Sequence, residues 1–204
     1  MLFTDLDKYI TTRKGAIHIG ANEGQERLWY AQNGFENVLW FEPNTKVFEI
    51  LRENISMYKH HRYYNLGVHD TLKTAMLNIS SNRGESSSIL ELGLHKKYYG
   101  KVKYIGQQEI ELVRMDYIFD ELENINLYNF LNIDVQGVEL NVIKSFGKYL
   151  SNIDYIYTEV NTGELYVGCC KLSEIDEYLK HHGFIRLMTK MTKSEWGDAF
   201  YKKY

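Results

Sequence analysis

Hydrophobic and polar positions along the chain switch repeatedly between two periods. Residues 16–19 and 38–41 form short apolar runs that predict buried strands. The segment 25–33 between them, and "TKVFEILRENISMY" after them, carry apolar residues at helical spacing. This is a βαβα opening. "TAMLNIS" and "QQEIELVRM" read as strands on either side of the polar, serine-rich "SSNRGESSSILELG", a loop leading into a short helix. Asp116 is placed to cap "YIFDEL". The second half repeats the opening logic. "LYNFLNIDV" is a strand, "GVELNVIKSFGKYL" a helix, "IDYIYTEV" a strand, "LSEIDEYLKHHG" a helix closed by Gly183, "FIRLMTK" a strand and "AFYKKY" an edge strand. Such alternation predicts an α/β fold with a mostly parallel sheet and right-handed crossovers.

Composition narrows the classes that fit. At 204 residues and 44% hydrophobic content, with no linker-like stretch, one domain over residues 1–204 is expected. The net charge of −3, with Lys and Arg dispersed, gives no reason to expect a nucleic-acid partner. Neither a signal peptide nor a membrane span is visible, so a soluble, cytoplasmic protein is expected. The adjacent Cys169 and Cys170 read as ordinary thiols.

Ligands of such sheets sit beyond the carboxyl ends of the strands, and three polar clusters follow the apolar runs there. They are Gly20-Ala21-Asn22-Glu23-Gly24, Glu42-Pro43-Asn44, and the pair Asp134-Val135-Gln136-Gly137 and Glu159-Val160-Asn161. Gly20 and Gly24 let the backbone pass close to a ligand. Glu42 lies 22 residues after Gly20, near the roughly 20-residue offset at which an acid grips the hydroxyls of an adenosine ribose. NAD and S-adenosylmethionine both carry that ribose. A dinucleotide loop places its second glycine where this chain has Asn22, whose side chain would obstruct a diphosphate. The cationic amino-acid end of S-adenosylmethionine is accommodated more readily.

These segments resemble the FkbM family of S-adenosylmethionine-dependent methyltransferases, through "IHIGANEG", "WFEPNTKVFEILREN", "SSSIL", "VRMDYIFDEL", "LNIDVQGVELNVIKSF" and "YIYTEVN". The resemblance implies a class I methyltransferase, Rossmann-like sheet with one antiparallel strand near the C-terminus. It also implies O-methylation of a hydroxyl on a carbohydrate or glycan acceptor, a deoxyhexose such as rhamnose being plausible chemistry. Some relatives are modules of larger glycan-building proteins. The roles carried over are Gly20, Ala21 and Asn22 around methionine and ribose, Glu42 on the ribose, Gly67 and Val68 near adenine, Ser87 and Ser88 over the cofactor, and Asp134 with Glu159 at the reaction centre. The competing class is a non-catalytic adenosine-ligand or partner-binding module of the same fold, against which Asp134, Glu159 and Asn161 speak.

The chain departs from the family pattern at His18, where an Asp is usual, and at Gln136, which removes a carboxylate. His18 inside an apolar strand is expected to be a hydrogen-bonded core residue. Glu139 is expected to support the turn after Asp134. The pairs His60-His61 and His181-His182 are expected at solvated element ends with no ligand role, and Tyr98, Tyr99 and Tyr166 in loops near the crevice mouth. Residues 80–100 are expected to act as a lid. If the strands ending at Asp134 and Glu159 are parallel neighbours, both carboxylates reach one point, with Asn161 adding a third oxygen. That set suits Mg²⁺ or Mn²⁺ holding the acceptor hydroxyl, while a metal-free pair, one carboxylate serving as general base, is the alternative.

Overall fold

The structure is a computed structural model that describes residues 5–122 and 124–204. Its elements, in chain order, are β1 (Gly15–Ile19), α1 (Arg27–Gln32), β2 (Asn37–Phe41), α2 (Thr45–Ile55), β3 (His61–Tyr64), β4 (Gly67–Val68), β5 (Lys73–Ser80) and α3 (His95–Tyr98). They continue with β6 (Tyr104–Val113), α4 (Met115–Glu121), β7 (Phe130–Ile133), α5 (Glu139–Ser145), β8 (Tyr155–Asn161), α6 (Leu172–His181), β9 (Phe184–Met191) and β10 (Trp196–Lys203).

Seven strands form one sheet in the order β3-β2-β1-β7-β8-β10-β9. β1 runs parallel to β2 and β7, β2 to β3 and β7 to β8, whereas β10 is antiparallel to both β8 and β9. This is the class I methyltransferase sheet, and its single reversed strand is β10. The chain winds outward from β1 to β3 and then returns to β7 on the other side, so the topology switches between β1 and β7. A crevice opens at that point beyond the strand ends.

Period-two alternation divides the central strands between two cores. Ile17, Ile19, Leu39, Phe41, Leu131 and Ile133 face one cluster, shared with Val142 and Ile143 of α5 and Ile175 and Leu179 of α6. Ala16, Val38, Trp40 and Phe130 face the other, with Tyr30 of α1 and Leu51 and Ile55 of α2. The stripe Val47, Leu51 and Ile55 buries one face of α2, and the Asn44 side chain caps it by accepting from the Lys46 N–H at 3.2 Å.

Several elements differ from the sequence expectation. "AFYKKY" is no edge strand: β10 lies between β8 and β9, and Ala199, Phe200 and Tyr201 are buried. Asp116 does not cap α4. Arg114 holds the cap position, and its guanidinium pairs with the Asp116 carboxylate in the first turn. The helix expected over 137–150 breaks into α5 and a 3-10 turn over Gly147–Asn152, where Gly147 takes φ +50. His61 is buried rather than solvated, accepting the Trp40 indole N–H at 3.2 Å and stacking on Tyr58.

A second, three-stranded sheet was not foreseen. It has the order β4-β6-β5, and its apolar side, Leu77, Ile110 and Leu112, packs together over the crevice. No helix among the described residues is long and apolar enough to cross a membrane.

Candidate active site

The turn after β1 is built around Gly20, whose φ is +80. A Cβ there would stand 1.8 Å from the Asp134 carbonyl oxygen, so only glycine lets the turn lie against the end of β7. The Gly20 and Ala21 N–H groups donate to the Phe41 carbonyl at 3.0 Å each, tying the turn to β2. Asn22, at φ 45, gives its main-chain N–H to Glu42 Oε2 at 2.9 Å, and the Asn44 N–H donates to Glu42 Oε1 at 2.8 Å. Burial pushes the Glu42 carboxyl up to about 7, opposed by those two N–H groups.

A cavity of about 420 Å³ runs from this turn to the ends of β7 and β8. Gly20, Ala21, Asn22 and Glu42 form one side, Gly67, Val68, Ile110 and Leu112 an apolar wall, and Ser87 and Ser88 a roof. Asp134 and Glu159 line it at the β7 and β8 ends, across β1 from Glu42. Every residue expected at the cofactor therefore borders one cavity. The roof is held down where Ser88 Oγ donates to the Gln136 carbonyl at 2.7 Å and accepts the Leu90 N–H at 3.1 Å. Ser87 Oγ accepts the Ser80 N–H at 3.0 Å.

The two carboxylates come together because β7 and β8 are parallel neighbours in a register pairing Ile133 with Thr158. Gln136, at φ 56, bridges them. Its amide nitrogen donates to Asp134 Oδ1 and, at 3.1 Å, to Glu159 Oε2, while the Tyr166 hydroxyl donates to its Oε1. Asp134 opens to the cavity while protein packs around it. That desolvation, with Glu139, Asp198 and Glu26 nearby, pushes its carboxyl up to about 7 against the Gln136 bond. Glu159, buried, is raised well above the usual carboxylate range by burial and then by Asp134. Glu139 supports the turn as expected: its Oε1 accepts the Gly137 N–H at 2.8 Å and its Oε2 the Cys170 thiol at 3.3 Å.

The expected metal set does not assemble. Asn161 is fully buried, does not border the cavity, and neither atom of its amide has a partner among the described residues. Asp134 and Glu159 are instead bridged by the neutral Gln136 amide, which donates to both. No group of three or more His, Cys, Asp or Glu among the described residues is arranged to hold a metal ion.

His18 is a core residue that also borders the cavity floor. Tyr30 OH lies 3.3 Å from its Nδ1, the Asn132 amide 3.2 Å from its Nε2, and Trp40 packs against its ring at 5.2 Å. Burial lowers its pKa to about 3, so it stays neutral. Sequence reasoning missed Asp198, which faces Glu159 across the β8–β10 ladder and borders the cavity. It lies upstream of "AFYKKY", where no strand was expected to begin. Tyr166 is fully buried beneath Gln136 rather than at the crevice mouth.

The donor set fits S-adenosylmethionine. With that ligand in the cavity, Glu42 would be the group to meet the ribose hydroxyls, the apolar wall would take the adenine, and the acidic lining would face the sulfonium and ammonium charges. The family model for the methyltransferase FkbM domain matches residues 18–186. The chain belongs to the FkbM methyltransferase family. As an FkbM enzyme it is an S-adenosylmethionine-dependent methyltransferase. It is 29% identical over 172 residues to the 2-O-methyltransferase NoeI of Sinorhizobium fredii, covering 80% of this chain and 70% of that protein.

Solved structures share the fold. One is M. capricolum TrmK with S-adenosylhomocysteine, at TM-score 0.56 and 10% identity over 98% of this chain and 66% of that one. This chain thus spans just under two thirds of TrmK. Another is Streptococcus pneumoniae Sp1610, a putative tRNA (m1A22) methyltransferase, with S-adenosylmethionine, at TM-score 0.56 and 8% identity over 98% and 71%. The exclusion of nucleic acid argued from net charge finds no support in this fold, which is shared with a protein described in those terms.

Proposed function

We propose that this FkbM methyltransferase methylates a sugar hydroxyl of a glycan, a deoxyhexose fitting the chemistry, inside the cytoplasm and without a metal ion. The observation that carries the reading is the carboxylate pair, Asp134 and Glu159, lining the cavity at the β7 and β8 ends, across β1 from Glu42. The name of the relative NoeI, a 2-O-methyltransferase, supports an oxygen acceptor.

Bound S-adenosylmethionine supplies an electrophilic methyl group on a sulfonium. The acceptor oxygen forms a bond to the methyl carbon as the carbon–sulfur bond breaks, and the hydroxyl proton must leave. Asp134 is the group to take it: its carboxyl, pushed up to about 7, is matched to a proton transfer near neutral pH. Glu159, held protonated more readily, donates a hydrogen bond or accepts one from a neighbouring hydroxyl. Gln136 fixes the spacing of both. Two carboxyls with environments that separate their protonation, beside one reaction point, favour catalysis over a purely binding role.

Incubation with methyl-labelled S-adenosylmethionine and a panel of defined methyl glycosides, with an RNA oligonucleotide alongside, tests the reading by mass. Label on a glycoside oxygen is expected. Label on the RNA alone would replace the sugar acceptor by a nucleic acid.

A further inference from the structure

A second cavity, of about 380 Å³, adjoins the first. The two share Glu85, Asp134, Gln136, Glu159 and Trp196, so they meet at the carboxylate pair. In-line transfer requires the acceptor oxygen to approach the methyl carbon from the side opposite sulfur. With the cofactor in the first cavity, the second is the adjoining space from which an acceptor can reach the carboxylate pair.

Its walls have a distinct chemistry. Trp196 and Tyr99 stand together, the indole N–H donating to the Tyr99 hydroxyl at 2.6 Å. His95 packs against Tyr99 at 5.0 Å between ring centres and Tyr166 at 5.6 Å. It is 4% exposed. Its Nε2 meets Ser86 Oγ at 3.2 Å, and the Asn82 amide donates to the same hydroxyl at 3.0 Å. The other ring nitrogen, Nδ1, has no partner among the described residues. A buried polar atom left unpaired is costly, and a ligand hydroxyl would relieve it. Burial lowers the His95 pKa, so the ring is neutral and can accept or donate.

We propose that this second cavity is the acceptor subsite, holding one sugar ring against Trp196 and Tyr99 with a ring hydroxyl on His95. The inference rests on the sugar reading above. The volume falls at the small end of ligand pockets, suiting one ring. Aromatic faces suit the apolar C–H face of a sugar, and the polar groups between them suit its hydroxyls. No Lys or Arg is among the described residues that line it, whereas Glu85, Asp134 and Glu159 are. A phosphate-bearing acceptor is therefore disfavoured relative to a neutral polyol. The serine-rich stretch takes on a role in this arrangement: Ser87 and Ser88 roof the cofactor cavity, and Asn82 and Ser86 wall the acceptor.

The test compares wild type with His95→Ala, His95→Asn and Tyr99→Ala, at two residues that line the second cavity and not the first, on a glycoside that wild type methylates, with S-adenosylhomocysteine affinity measured by calorimetry for each. His95→Ala and Tyr99→Ala should each raise the acceptor KM by about tenfold or more while cofactor-product affinity stays within about twofold. His95→Asn, which restores a hydrogen-bonding group and guards against misfolding, should recover most of the loss. Unchanged acceptor KM in both truncated variants, with glycoside turnover intact, overturns the subsite and leaves the sugar reading standing. A parallel loss of S-adenosylhomocysteine affinity in folded variants assigns the cavity to the cofactor and overturns it too. Failure of wild type to methylate any glycoside while binding S-adenosylhomocysteine overturns the sugar reading, and the sugar subsite with it.

Discussion

Gly20 and Asp134 meet through their main chains, and a Cβ on Gly20 would fall 1.8 Å from the Asp134 carbonyl oxygen. The contact joins the cofactor turn to the strand end that carries the proposed base. Gly20→Ala should therefore damage both at once. The left-handed φ of +80 alone costs about 1–2 kcal/mol for a residue with a side chain, before the clash is relieved. Lower thermal stability together with loss of S-adenosylhomocysteine binding in calorimetry is the expected outcome. Retained affinity would show that the turn does not face the ligand.

Glu42→Ala removes the carboxylate expected on the ribose and leaves the Asn22 and Asn44 N–H groups without their acceptor. Affinities for S-adenosylmethionine and S-adenosylhomocysteine should fall together by roughly 1.5–3 kcal/mol. NAD should not bind wild type measurably, because Asn22 stands where a diphosphate needs a glycine. Tight NAD binding in the same calorimeter would contradict the cofactor assignment.

Glu42 also predicts a pH dependence of stability. Its carboxyl is raised from 4.5 to about 7 in the folded protein, so the fold binds more protons than the unfolded chain between those values. Stability should therefore fall as pH rises from about 4.5 to about 7 and level off above, by on the order of 3 kcal/mol from this group. Glu42→Gln should flatten that part of the profile in urea titrations. An equally steep profile in the variant would assign the dependence to other groups.

Gln136 predicts a kinetic signature. Its amide stabilises the ionised form of Asp134, opposing the upward push of burial. For wild type, kcat/KM should rise with pH and reach a plateau above about 7. Gln136→Leu should move that limb to higher pH, with cofactor affinity little changed. A profile that does not move would mean that Gln136 does not act on the base.

Much of this was legible from sequence because the strands flanking the switch point are buried on both faces. "VLWF" and "LYNFLNIDV" therefore stand out as apolar runs ending on acids. The three-stranded sheet was hidden. β5 and β6 are half exposed, and the short parallel pairing of β4 with β6 joins Gly67 to Leu112, too far apart for a local pattern to reveal. β10 misled because the terminal Lys202 and Lys203 give it the look of a solvated edge, although Phe200 and Tyr201 are buried between two neighbours. Gln136 read as a lost acid, since its bridging role depends on Tyr166, distant in sequence. Asn161 has the period of Glu159, but it pairs with Trp196 on β10 and is buried there, outside the lining of the cavity.

The measurement closest to the central claim is transfer of a deuterated methyl group from S-adenosylmethionine to a methyl glycoside by wild type and by Asp134→Asn, with S-adenosylhomocysteine affinity as the control. Wild type should give a glycoside heavier by one labelled methyl on oxygen. Asp134→Asn should bind the cofactor product nearly as well yet lose about 100-fold or more of the turnover, as expected for removal of a general base. A wild type that binds S-adenosylmethionine but labels no glycoside, or an Asp134→Asn enzyme of undiminished turnover, would contradict it.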